Sequence, residues 1–294
     1  GQTSSVYTGA DLAAPAKCPG GVPNPAVPGC QTVTPNIING GKLNLGPETA
    51  QEGSAGVVFE PSRHFSASVD WWYINRQNTI QILTLRQLIN NFSLFADRFI
   101  RDSSNTLIAI DQTYANAGET RTQGLEVSLR GNVEALGGQF AAGLDGTYLL
   151  KKNEKIVTGA PVINQLGVFT LSGDLGLRWK HNAFVSYSTD NWSATLSQIF
   201  RSSYKNQVLP GVANGSVNPP NDQARVHKYA IYNLSVSYTG IEGLRLTAGV
   251  KNLFDTDPPF AITYDSNTGS GSSWEPRVAD PRGRAFTMLA EVKF

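Results

Sequence analysis

The sequence has no long apolar run. Every stretch that approaches one is broken by Ser, Thr, Asn or Gly before the roughly 18 residues that a membrane-crossing helix requires. That excludes a helical membrane protein. It does not exclude a chain that crosses with strands, since each strand needs only about 10 residues and only every second one apolar. Charge is also scarce, at 16% of residues, and Lys plus Arg (24) nearly balances Asp plus Glu (23), so no basic surface for nucleic acid is expected. Signatures of catalysis are missing as well. There is no G-x-S-x-G, no H-E-x-x-H and no glycine loop for phosphate, and His64, His181 and His227 are scattered without an acid partner. Neither catalytic residues nor a cofactor are expected.

Cysteine is nearly absent. The two, Cys18 and Cys30, share one Pro- and Gly-rich segment, which reads as a short disulfide loop formed in an oxidising compartment. A metal site is the rival reading and lacks ligands, because two thiols alone do not complete a zinc shell. Residues 1–5 carry no basic region followed by an apolar core, so an export signal either has been removed or the chain starts mid-protein. Residues 1–53 as a whole are rich in Pro, Gly, Ala, Asn and Thr without steady periodicity and read as a loop region.

From residue 54 to 294 a two-residue period takes over. Phe65, Ala67, Val69, Trp71 and Tyr73 alternate with Ser66, Ser68, Asp70 and Trp72. Ala230, Tyr232, Leu234, Val236 and Tyr238 oppose Asn233, Ser235 and Ser237, and Leu244, Leu246, Ala248 and Val250 oppose Arg245, Thr247, Gly249 and Lys251. Further ladders run through Leu125 to Leu129, Phe140 to Tyr148, Ala183 to Tyr187, Trp192 to Phe200, and Phe286 to Phe294. Each predicts a strand with one apolar and one polar face. Aromatics favour the strand ends, as interfacial girdles on a lipid-facing band would require.

The connections alternate in length. Thr189-Asp190-Asn191 and Gly240-Ile241-Glu242-Gly243 are tight hairpin turns, and Glu134 to Gly138 is scarcely longer. Between them, Lys151 to Gly176, Lys205 to Arg225 and Asp255 to Gly283 are long and rich in Asn, Ser, Gly and Pro. One trimmed end and one elaborated end is the asymmetry of an outer-membrane barrel, with short periplasmic turns and long extracellular loops. Counting back from Phe294 puts the Pro61 turn with the other short ones. The stretch from Gln77 to Gly118, including a helical-looking piece at Leu83 to Asn90 and a short strand near Leu107 to Tyr114, then becomes an extracellular insertion. If that strand is instead a full crossing, the insertion is periplasmic.

These residues resemble a family. Leu45-Gly46-Pro47-Glu48-Thr49 is similar to the L-x-P-E-T/S segment that enters a barrel strand in TonB-dependent receptors. Asp70-Trp71-Trp72-Tyr73-Ile74 resembles the family's D-Y-W-x-I strand, and Tyr114-Ala115-Asn116 with Gly124-Leu125-Glu126 its Y-x-N and G-x-E. Val250-Lys251-Asn252-Leu253-Phe254-Asp255, Asp280-Pro281-Arg282-Gly283-Arg284 and a terminal Phe294 complete the order. The resemblance implies an all-β, antiparallel transmembrane barrel. Receptors of this kind are 22-stranded and plugged, whereas nine full crossings are counted here, an odd number that does not close in the ordinary way. The chain therefore resembles a C-terminal portion of the barrel whose remaining strands and plug domain lie elsewhere. TonB would be reached through an N-terminal part that this stretch lacks.

The resemblance also implies the outer membrane of a Gram-negative bacterium, with its lipid, lipopolysaccharide and barrel assembly machinery as partners. Phe286, Met288, Val292 and Phe294 read either as the assembly signal or as an ordinary greasy strand end. Phe260, Tyr264 and Trp274 present aromatic faces for a sugar or chelate ring, or pack within their loop. Arg282 and its neighbour Arg284 read either as contacts for an anionic ligand or as rim residues paired with carboxylates. Three functions stay open: a receptor for a large scarce solute such as a ferric siderophore, cobalamin, oligosaccharide or peptide; a plugless porin-like channel; and a soluble β-sandwich binding module.

Overall fold

The computed structural model describes residues 4–8, 12–13, 18, 21–24, 26–28, 30–157, 159–170, 174–209, 212, 215, 218, 224–264 and 271–293. The chain divides into two compact units, one of residues 1–52, 74–121 and 153–163, the other of 53–73, 122–152 and 164–294.

The alternating segments form nine long strands: β1 Thr49–Ser62, β2 Phe65–Gln77, β3 Glu119–Ala135, β4 Gly138–Lys155, β5 Trp179–Ser188, β6 Trp192–Arg201, β7 Tyr229–Ile241, β8 Leu244–Lys251 and β9 Ala285–Val292. Their order in the sheet is their order in the chain. This is an antiparallel meander, the arrangement that short hairpin links between successive strands produce. Four connections are tight: residues 63–64, 136–137, 189–191 and 242–243. In the second, Leu136 and Gly137 both take positive φ, 54° and 74°, which a two-residue turn between right-twisted strands requires. The Tyr187 hydroxyl donates to the Leu136 carbonyl at 2.8 Å and braces that turn. All four lie at one end of the meander. The described parts of the intervening segments 164–178, 202–228 and 252–284 lie at the other. Among the described residues, β1 and β9 each have a sheet neighbour on one side only, so the meander is open.

In the other unit, strands Ser4–Thr8, Asn36–Gly40, Leu107–Asp111 and Phe99–Arg101 make a four-stranded sheet, with Asn36–Gly40 parallel to Leu107–Asp111. The strand near residue 107 is thus part of an insertion and not a crossing. Helix α1, Leu85–Asn90, starts at a capping box in which the Thr84 hydroxyl accepts from Gln87 N–H and the Gln87 side chain accepts from Thr84 N–H. Ile37, Leu83, Leu88, Phe95, Phe99, Leu107, Ile110 and Ile156 close a core beneath it, each such side chain contributing about 1.5–3 kcal/mol by leaving water. Cys18 and Cys30, both buried, are joined by a disulfide of 2.03 Å. The segment read from composition as a loop therefore carries strands. Their partners lie up to some 70 residues away, which local periodicity does not reveal.

Candidate functional site

Pairing register sorts the meander into two chemically distinct faces. One row across it reads Ala142, Val185, Leu196, Leu234, Val250, Phe286, and the next Phe140, Tyr187, Ala194, Val236, Ala248, Met288. The alternate row reads Ala141, Ser186, Thr195, Ser235, Gly249, Thr287. No hydrophobic cluster of buried residues includes the apolar rows among the described residues, and Val185, Leu196, Phe286 and Met288 are exposed. The apolar face thus meets surroundings and not a second layer.

Aromatic rings border this face at both ends. Trp192 packs on Tyr238 (4.6 Å between centroids) and Phe140 on Tyr187 (4.5 Å) near the tight turns; Tyr148 and Trp179 (6.3 Å) stand near the long connections. Trp179 and Tyr187 lie eight positions apart on β5, about 27 Å at strand rise and about 20 Å along a membrane normal for a tilt near 40°. That approaches the apolar band of about 25 Å in outer-membrane barrels.

The opposite face is polar and internally bonded. Arg130 pairs with Asp145 at 2.6 Å, Ser128 donates to the same carboxylate at 2.9 Å, and Thr147 donates to Glu126 at 2.9 Å. Ser68, Asp70, Lys180, Asn182 and Arg201 line the same open cleft as Glu126, Ser128, Asp145 and Thr147.

Within each unit, the family-like motifs act as clips. The Asn116 side chain accepts from Gly46 N–H at 2.6 Å and donates to the Gly46 carbonyl at 2.7 Å, while Glu48 accepts from Ile80 N–H (2.7 Å) and Arg76 (2.5 Å). Those bonds hold the Glu48 carboxyl below its ordinary range, the Ile80 N–H first among them. Asn252 is 4% exposed and left-handed (φ 49°); its amide accepts from Thr256 N–H and donates to the Thr256 carbonyl. Asp255 accepts from Arg284 N–H at 2.7 Å. Asp280 accepts from the Arg282 guanidinium and backbone N–H, which pull its carboxyl down to about 2.

The described parts of the three connections 164–178, 202–228 and 252–284 are knotted together. Leu175, Tyr204, Val226 and Ala261 form a buried cluster, with Phe169, Leu177 and Val278 against it. The Gln207 side chain imitates a strand partner, donating to the Tyr264 carbonyl and accepting from Tyr264 N–H, both at 2.7 Å. Asn206 accepts from Ile262 N–H at 2.9 Å, and Arg277 donates to the Thr170 carbonyl at 2.7 Å. Burial works to raise the Glu275 carboxyl, but the Arg277 side chain and backbone N–H outweigh it and hold the group below its ordinary range. Burial, reinforced by the Glu275 charge, pushes the Tyr204 phenol well up.

Of the residues expected to touch a ligand, Phe260 is exposed, and Tyr264 and Trp274 are half-buried within the knot. The limbs that carry the last two are joined by the Thr263 hydroxyl on the Ser272 carbonyl and Ala261 N–H on the Ser273 carbonyl. Arg282 stands apart from them in its clip with Asp280. Sequence reasoning missed Asn206, Gln207, Glu275 and Arg277; the spacing Glu275-x-Arg277 was the one local signal, and the others act on partners far along the chain. Phe286, Met288 and Val292 lie exposed on β9, and Phe294 lies outside the described residues.

Residues 4–253 match the family model described as TonB dependent receptor-like, beta-barrel. Comparison with curated proteins finds no match. Among solved structures, a mutant of the ferric enterobactin receptor of Pseudomonas aeruginosa aligns with TM-score 0.58 and 18% identity over 90% of this chain and 33% of its own. The siderophore receptor PirA of Acinetobacter baumannii aligns with TM-score 0.55 and 17% identity over 89% and 34%. The FrpB iron transporter of Neisseria meningitidis aligns with TM-score 0.56 and 12% identity over 87% and 33%. The chain spans about a third of the length of these structures. With the family match over most of its length, on a two-faced antiparallel meander, the chain belongs to the TonB-dependent receptor-like β-barrel family.

Proposed function

We propose that this chain is the C-terminal wall of an outer-membrane receptor that takes up a large scarce solute with energy delivered through TonB. The observation that carries the proposal is the sorting of whole register rows into an exposed apolar face and an internally bonded polar one. Hydrocarbon accepts such a wall because strand pairing satisfies the backbone and leaves only side chains facing lipid. The tight turns face the periplasm and the knotted connections face outside. Further strands and a plug domain complete the barrel, and the barrel assembly machinery reads the β9 end with Phe286, Met288, Val292 and Phe294.

Solute contact falls to the aromatic faces of Phe260, Tyr264 and Trp274, while Arg282 shapes the loop through Asp280. A ferric siderophore, cobalamin, oligosaccharide or peptide each offers the ring or chelate surface that such faces accept. The test is uptake of a labelled panel of these solutes by cells carrying the intact receptor gene, with and without TonB. Saturable uptake that vanishes without TonB is expected. Uptake that persists, together with ohmic conductance of the purified protein, would overturn the proposal in favour of a plugless channel. Partition into buffer without detergent would favour a soluble binding module.

A further inference from the structure

The apolar face is not uniformly apolar. Two of its rows read Gly146, His181, Phe200, Ala230 and Leu144, Ala183, Gln198, Tyr232. Their polar side chains form one hydrogen-bonded ribbon over β5, β6 and β7. Trp179 Nε1–H donates to His181 Nδ1 at 2.7 Å, His181 Nε2 meets Gln198 Oε1 at 2.8 Å, and Gln198 Nε2 donates to the Tyr232 hydroxyl at 2.6 Å. Because the indole N–H only donates, His181 Nδ1 accepts and its Nε2–H points at Gln198. Two donors are then left without a partner among the described residues, the second Gln198 amide hydrogen and the Tyr232 hydroxyl hydrogen. Gln198 Oε1 and the Tyr232 oxygen each keep a free lone pair as well.

Depth decides what can meet these groups. Ala183, directly across from Gln198, is midway along β5 between the border rings Trp179 and Tyr187. At strand rise and a tilt near 40° that is about 10 Å along the membrane normal from either ring. On β6 itself Gln198 stands six positions from the border ring Trp192, about 15 Å by the same measure. The carboxamide therefore lies well inside the apolar band, away from headgroups and water. An unsatisfied donor is costly there, and only a group embedded at the same depth relieves it.

We propose that β5, β6 and β7 carry a contact between two copies of the receptor in the plane of the membrane. A second copy, related by a two-fold axis along the membrane normal, presents its own Gln198 and Tyr232 at the same depth. Each copy offers two donors and two acceptors, so the set is self-complementary: the spare Gln198 and Tyr232 hydrogens of one meet the Gln198 and Tyr232 oxygens of the other. No charge lies in the two rows, so like walls approach without repulsion. Ala183 and Ala230 flank the ribbon and let the backbones come close. Apolar side chains already solvated by lipid give two walls little reason to pair, which leaves the hydrogen bonds to choose the face.

This rests on the reading above that the apolar rows meet lipid. The test uses the whole receptor, tagged with donor or acceptor dye and reconstituted in phosphatidylcholine bilayers that are diluted stepwise with lipid. Energy transfer beyond that of random proximity should persist on dilution. Gln198→Leu with Tyr232→Phe should raise the receptor density needed for half-maximal transfer about tenfold or more, the effect of the few hydrogen bonds that each pair loses. Ala183→Trp, which keeps the donors but blocks the approach, should do the same. Tyr187→Phe is the control, because that hydroxyl turns back to the Leu136 carbonyl of its own sheet, and it should change nothing. No transfer beyond random proximity, or transfer by the double variant equal to the parent's, overturns the proposal. Transfer that appears only when lipopolysaccharide is added overturns it too, in favour of a bridging lipid. Quenching by brominated lipid that Trp192→Phe diminishes separates the failures: with it only the contact fails, and without it the membrane reading fails as well.

Discussion

The indole of Trp179 on β5 lies across the backbone of Gly146 on β4, so that a Cβ at position 146 would fall within the ring. Tyr187 covers Gly138, Phe184 covers Gly143 and Trp72 covers Gly124 in the same way. Each glycine lets a large ring lie flat against the sheet, and the ring supplies the contact that the missing side chain does not.

Gly146→Ala should therefore tilt the Trp179 ring and break its bond to His181. The strand backbone at 146 tolerates Ala, so the cost is overpacking of about 1–3 kcal/mol. Denaturant unfolding of the refolded protein in detergent measures it. Trp179→Phe, which removes the N–H but keeps the ring, should cost less, near the 1 kcal/mol of one hydrogen bond.

Asn252 combines a left-handed backbone with a side chain that braces Thr256 on both N–H and carbonyl. Asn252→Ala loses the bonds and strains the backbone, a loss of about 2–3 kcal/mol, whereas Asn252→Gly restores the conformation and loses only the bonds, about 1–2 kcal/mol. Equal destabilisation by the two substitutions in thermal unfolding would show that the positive φ contributes nothing.

The meander was legible because its evidence is local. Alternation such as Trp192 to Phe200 needs no partner to be read, and the turns at 136–137 and 189–191 carry their own chemistry. The knot was not legible, since Gln207 finds Tyr264 across 57 positions and nothing beside Gln207 announces it. Arg282 pairs with Asp280 two residues away, the carboxylate pairing that was one of its two readings. Strand Asn36–Gly40 went unseen because its partners, 4–8 and 107–111, lie on separate segments.

The knot should loosen at both extremes of pH. Glu275 is held below its ordinary range in the folded state, so its contribution is full above the unfolded carboxylate value of about 4.3 and is lost as pH falls through the lowered folded value. Tyr204 is raised, so its contribution is full below the unfolded phenol value of about 10 and is lost as pH rises beyond it. Hydrogen exchange of residues 202–209 and 252–264, compared at matched intrinsic rates, should show faster opening at both edges. Glu275→Gln should abolish the acid edge. Tyr204→Phe should abolish the alkaline edge and, because the Tyr204 hydroxyl has no partner among the described residues, change neutral stability by less than about 1 kcal/mol.

Leu196 and Thr195 are consecutive on β6 and belong to opposite faces, which makes them a direct assay of which face meets lipid. In bilayer, Leu196→Arg places a guanidinium in the middle of the apolar rows and should cost about 2–4 kcal/mol, the depth-dependent cost of a cation at the midplane of a barrel wall. Thr195→Arg puts the same group among serines and threonines on the wet side and should change stability by less than about 1 kcal/mol. The same pair in detergent micelles, which deform around a charge more readily, should differ less. If instead the Thr195 variant is the unstable one, or the two are equal in bilayer, the apolar rows do not face hydrocarbon, because no other surroundings for this sheet predict a penalty tied to Leu196 and to the presence of lipid.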